Sequence, residues 1–140
     1  MSSSIMLNPR RRRTVDVAAR RQWLDDLNAL VRDIELWSAE NDWAVKVERK
    51  RIREDEIGVY SAPALIIQTA QGRLYFTPIA RYIAGTATGR IEMTAPSFRG
   101  VVLIRRGHSW RFYDDNLVDL KKTWSKKNFN VVARELLDRV

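Results

Sequence analysis

From residue 23 onward, the apolar positions Trp23, Leu27, Leu30, Ile34 and Trp37 recur at steps of four, three, four and three. That is helical period, and Leu24 and Val31 widen the stripe while Asp25, Asp26, Asn28, Arg32, Asp33 and Glu35 fall largely off it. Thr14 is the expected N-cap, with Asp16 in the first turn, where a negative charge favours the helix dipole. Asn41-Asp42 closes the element, which predicts a long amphipathic helix of 26 residues. The stripe suits either the cover of a sheet in the same domain or a heptad-like dimer seam, and its shortness favours the former.

The period then changes. Trp43, Val45 and Val47 alternate with Ala44, Lys46 and Glu48, the pattern of a strand with one buried face. The basic patch Arg49-Lys50-Arg51 continues it and Glu54-Asp55-Glu56 ends it. Ile57–Thr69 and Leu74–Ile83 read as strands joined at Ala70-Gln71-Gly72-Arg73, each marked by a proline (Pro63, Pro78) as bent or at an edge. Gly85-Thr86-Ala87-Thr88-Gly89 makes the next turn, before Ile91, Met93 and Ala95 alternate with Glu92 and Thr94. Pro96–Gly100 is a longer connection. Val101–Arg105 and Ser109–Tyr113 form a last hairpin around Arg106-Gly107-His108. Phe129, Val132, Ala133, Leu136, Leu137 and Val140 supply the apolar face of a closing helix capped by Ser125 or Asn128.

With no helical pattern between the strands, the fold class is α+β. It comprises a long N-terminal helix, a five- or six-stranded antiparallel meander, flat or curled toward a barrel, and a C-terminal helix. Residues 1–13 read as a disordered basic tail and residues 14–140 as a single domain.

Composition bounds the chemistry. There is no cysteine and one histidine, which removes disulfides, thiolate metal sites, cysteine nucleophiles and polyhistidine metal centres. No apolar run is long enough to cross a bilayer, so no transmembrane association is expected, and a cytoplasmic location follows from the lack of a signal-peptide core. The net charge is +8, of which +4 lies in the acid-free run Arg10, Arg11, Arg12 and Arg13. The remaining chain is only mildly basic, its first helical segment being acidic.

Each catalytic constellation fails on residue type or spacing. His108 and Ser109 are neighbours in a turn, where side chains diverge, and no G-x-S-x-G elbow supplies another serine. Glu48-Arg49-Lys50 resembles the Glu-x-Lys end of the PD-(D/E)xK nuclease signature, which would imply a metal-dependent nuclease. That family's pattern requires an aspartate on a preceding strand, and here a helix precedes. Asp42 is too far along the same strand to share a metal with Glu48. The runs Glu54-Asp55-Glu56 and Asp114, Asp115, Asp119 read as solvated turns. No phosphate-cradling glycine motif is present, and no cofactor is expected.

Two function classes remain. The first is a small non-enzymatic binding or adaptor module, with an unknown protein partner or a second copy (a homodimer) as its partner. The second is a nucleic-acid-binding protein. For it the candidate residues are Arg10–Arg13, Arg105, Arg111 and Tyr113 on a basic aromatic sheet face, and Lys121, Lys122, Lys126 and Lys127 around Trp124. Trp110 and Phe112 are expected on the core face, opposite Arg111 and Tyr113. Trp124 either inserts into an anionic surface or pins its segment onto the core while the lysines stay in water.

Overall fold

Asp16 begins the first helix: its carboxylate accepts the Ala19 backbone N–H at 2.9 Å, so the cap lies two residues past Thr14. The computed structural model describes residues 14–82, 88–96 and 99–138. Helix α1 spans Val17–Glu40 and stops at Asn41, followed by Asp42 at a positive φ of 61°. Strands β1 (Ala44–Glu54), β2 (Gly58–Thr69), β3 (Gly72–Ala80), β4 (Arg90–Thr94), β5 (Gly100–Arg106), β6 (Ser109–Asp114) and β7 (Asp119–Thr123) follow. Helix α2 (Lys126–Asp138) closes the chain, with Ser125 Oγ accepting the Asn128 N–H as its cap.

The strands form one seven-stranded antiparallel sheet in sequence order, and the sheet is open: β1 and β7 are its two edges and do not pair. The strand beyond the expected six is β7. Its ladder with β6 jumps from Phe112↔Lys122 to Tyr113↔Asp119, leaving Leu120 and Lys121 bulged, with Lys121 at φ 61°. A bulge breaks the alternation that marks a strand, which is why the sequence pattern does not predict one here.

Both helices cover one face of the sheet. Trp23, Leu27, Leu30, Val31 and Ile34 of α1 and Phe129, Val132, Ala133, Leu136 and Leu137 of α2 join one core with Leu65, Ile67, Leu74, Phe76, Ile91, Met93, Leu103 and Phe112. Each large aliphatic or aromatic side chain buried there contributes roughly 1.5–3 kcal/mol of transfer free energy. The α1 stripe is therefore covered by its own sheet and leaves no seam for a second copy of the helix. Trp110 and Phe112 are buried on the core side as expected. Trp124 pins the entry to α2: it packs among Trp37, Phe112 and Phe129 at centroid distances of 5.2, 5.8 and 5.7 Å, and its Nε1 donates to Asp33 at 2.9 Å.

Gly89 marks a close approach. A β-carbon there would come within 2.6 Å of the Trp23 ring and 3.1 Å of Trp110, so the backbone fits beneath the two indoles only without a side chain.

The β1–β2 hairpin departs from a simple two-faced sheet. β2 pairs with β1 along its whole length, from Gly58↔Glu54 to Gln68↔Ala44, but with β3 only from Leu65 to Thr69. Over Gly58–Ala64 the hairpin is thus a two-stranded ribbon, free to twist more than the sheet. The core-facing side changes at that boundary: Leu65 and Ile67 are buried on one parity, Tyr60 and Ala62 on the other. Pro63 sits at the switch, where its missing N–H removes no bond to β3. Val47, expected on a buried face, is 43% exposed on the edge strand, whereas Ile52, within the ribbon, is 8% exposed.

Candidate nucleic-acid interface

The ribbon is held by its inner side. Ile52, Ile57, Tyr60 and Ala62 enter the core. Tyr60 Oη accepts the Trp23 Nε1–H at 3.0 Å and donates to the Glu54 carboxylate at 2.5 Å. That carboxylate also accepts the backbone N–H groups of Arg81 and Tyr82 at 2.9–3.1 Å. Lys50 Nζ donates to the Pro78 carbonyl at 3.1 Å, and the Asp16 N–H to the Glu56 carbonyl at 2.9 Å. The ribbon therefore lies clamped across the end of β3 and against the start of α1.

Burial and the Glu54 carboxylate raise the Tyr60 pKa well above the ordinary tyrosine value. A raised folded-state pKa gives stability that is complete below the unfolded value, about 10, and is lost as pH rises above it, because only the unfolded chain ionises readily. Tyr60→Phe is expected to cost about 1–3 kcal/mol at neutral pH, since it strands the buried Trp23 N–H. It should also flatten the alkaline fall in stability. Urea unfolding at neutral pH and above pH 10 checks both.

The outer side of the ribbon carries the charge. Alternation puts Arg49, Arg51 and Arg53 on one side of β1, about 6.7 Å apart, with Lys46, Glu48, Lys50 and Glu54 on the other. The three arginines face Pro63, Ser61 and Val59 across the ladder, none of them acidic. All three arginines are exposed, as are Val47, Val59 and Ser61. Arg49 donates to the Ser61 carbonyl at 3.3 Å. The opposite parity is balanced: Lys46 lies 3.6 Å from Glu48, and Lys50 and Glu54 are engaged as described. The net charge of +3 on Ala44–Glu54 is thereby sorted into a neutral side and a side that carries all of it. The basic patch is legible along the chain, but its sorting onto one side is not.

The predicted residues are scattered. Arg105 is not on an accessible face: it is 7% exposed, ion-paired with Asp26 of α1, bonded through Nε to the Thr88 carbonyl at 3.3 Å, and 6.0 Å from the Trp23 ring. Burial lowers its pKa. Arg111 and Tyr113 do lie on the sheet face away from the helices, where two of the arginines are ion-paired. Arg111 pairs with Asp119 at 3.3 Å, Arg90 pairs with Glu92 at 3.1 Å, and Tyr113 packs on Val102 and Ile104. Asp119 has its pKa lowered, first by the Lys121 backbone N–H and then by Arg111. Lys121 and Lys127 are exposed, Lys122 is half-buried, and Lys126 pairs with Glu40 at 2.6 Å. Arg10, Arg11, Arg12 and Arg13 lie outside the described residues. The chain that follows them does have a place: Val15 rests against Gly58 at the ribbon tip.

The catalytic fragments stay apart. Glu48 has Lys46 as its partner, and among the described residues no three His, Asp or Glu side chains converge at metal-binding spacing. His108 is an exposed turn residue. A cavity of about 570 Å³ lies between α2 and the β6–β7 turn, lined by Arg99, Asp114, Asp115 and Glu135 above Val132 and Leu136. Its Asp114 carboxylate anchors the turn by accepting the Asn116 and Val118 N–H groups, each at 2.9 Å. No helix among the described residues is long and apolar enough to cross a membrane. No family model, no curated protein and no solved structure matches this chain.

Proposed function

We propose that this protein is a non-catalytic nucleic-acid-binding module whose primary contact is the outer side of the β1–β2 ribbon. The observation that carries this reading is the segregation of Arg49, Arg51 and Arg53 onto one exposed side with neutral cross-strand partners. Like charges brought together on one side of a strand, with the acids Asp55 and Glu56 in the ribbon's turn, are electrostatically unfavourable in the free protein, and a row of phosphates relieves that repulsion. The chain enters α1 beside the ribbon tip, where Val15 meets Gly58 and the Asp16 N–H meets the Glu56 carbonyl. An adaptor acting through the first helix has less support, since its stripe is buried in its own core.

Affinity for a labelled oligonucleotide, measured by fluorescence anisotropy across a salt series, tests the reading. Binding should weaken steeply with salt, and each arginine neutralised should reduce the log–log slope by about 1. The triple variant R49A/R51A/R53A should therefore flatten the slope by about 3, with an unchanged melting temperature because all three side chains are exposed. Alanine at the exposed Lys121 and Lys127 should leave the slope nearly unaltered. Absence of binding at low salt would refute the reading.

A further inference from the structure

The shape of the basic surface says more than its charge. Single strands are held in grooves that track the backbone and offer aromatic platforms for stacking. The ribbon offers neither. Among the described residues no strand lies on either edge of it over Gly58–Ala64, β1 being the sheet's outer strand and β2 pairing with β3 only from Leu65 onward. It is a ridge, and its outer side carries the three arginines, Val59, Ser61 and, opposite Arg49, the buried Pro63, but no aromatic ring. Tyr60, the ribbon's aromatic residue, points inward to Trp23 and Glu54.

Two strands about 4.8 Å apart, with the short side chains of Val59 and Ser61 on β2 and the arginines on β1, make a ridge narrow enough for the major groove of B-form DNA, which is about 12 Å wide and 8.5 Å deep. The A-form major groove of duplex RNA is too narrow to admit it. We infer that the ligand is duplex DNA, with the β1–β2 ribbon seated in the major groove and Arg49, Arg51 and Arg53 directed at phosphates and base edges. This rests on the nucleic-acid reading above and specifies its substrate.

The inner clamp supports such a role. Glu54, Lys50 and Tyr60 fix the ribbon to β3 and α1 from behind, so little ordering is required on binding. Arg51 sits opposite Ser61, whose hydroxyl adds a donor and acceptor at the centre of the ridge.

The test compares the full chain on single-stranded DNA, duplex DNA and duplex RNA of one sequence and length, by anisotropy at fixed salt. Duplex DNA should bind about tenfold or more tightly than either other probe. A duplex whose cytosines carry bulky groups projecting into the major groove should lose that advantage, whereas a polyamide filling the minor groove should not compete. R49A/R51A/R53A should lower affinity for duplex DNA to the level of the other probes. Single strand or duplex RNA binding as tightly as duplex DNA would overturn the inference while leaving the broader reading in place. So would insensitivity to the major-groove block. Failure of all three probes to bind would overturn the broader reading itself.

Discussion

Replacing Trp23 with alanine is expected to remove about 3–5 kcal/mol of stability, the range for truncating a large buried aromatic residue. Trp23 is fully buried and touches every layer at its end of the molecule. Its ring lies 6.0 Å from Trp110, covers Gly89, backs the Arg105 guanidinium at 6.0 Å, and donates its N–H to Tyr60. Alanine would open a cavity among groups that cannot collapse into it, because Gly89 is backbone and Arg105 is tethered to Asp26. It would also leave the Tyr60 oxygen with one partner fewer. Trp23→Phe separates the two effects: it keeps most of the packing and loses the hydrogen bond, so a cost of about 1–2 kcal/mol is expected. Urea unfolding of the three proteins decides the matter. A loss below about 1 kcal/mol in the alanine variant would show that α1 is not anchored at this point.

The second large effect is at Asp26 and Arg105. Asp26→Leu should cost about 3–5 kcal/mol, because it leaves a guanidinium buried without a counter-charge. The cost of Arg105→Met should be smaller: the side chain of Asp26 is 22% exposed against 8% for Arg105, so the carboxylate left behind can still reach water. The double variant D26L/R105M should recover most of the loss, since an apolar pair can replace a buried ion pair at little cost. A double-mutant cycle measured by chemical denaturation gives the coupling directly. If the single losses simply add, the pair is not energetically coupled, and Arg105 is held by the Thr88 carbonyl and the Trp23 ring instead.

Both predictions concern residues whose roles were unevenly legible beforehand. Trp23 announced itself through the helical spacing that also gives Leu27, Leu30 and Ile34, and Trp110 with Phe112 through simple alternation. Arg105 did not. A basic residue at the end of an apolar strand next to Arg106 reads as surface, and only the placement of α1 over β5 brings Asp26 to it. The candidate interface was missed for a similar reason. Along the chain, Arg49, Lys50, Arg51 and Arg53 are one patch diluted by Glu48 and Glu54, and of the residues expected instead, Arg105 is buried against Asp26 while Arg111 and Lys126 are ion-paired.

The division follows the range of the forces involved. Spacing along the chain specifies the helical stripe of α1, the period-two strands, the turns at Gly72 and Gly107, and hence an antiparallel meander between two helices, because these depend on residues a few positions apart. Tertiary structure decided where β3 stops pairing with β2, which frees Gly58–Ala64 to twist, reverses the buried parity at Pro63, and sends Lys50 and Glu54 inward and three arginines outward. It likewise decided that Leu120 and Lys121 bulge so that β7 can join the edge. Local pattern specifies which residues share a side of a strand. Only the partner strands and the covering helix determine which side meets water.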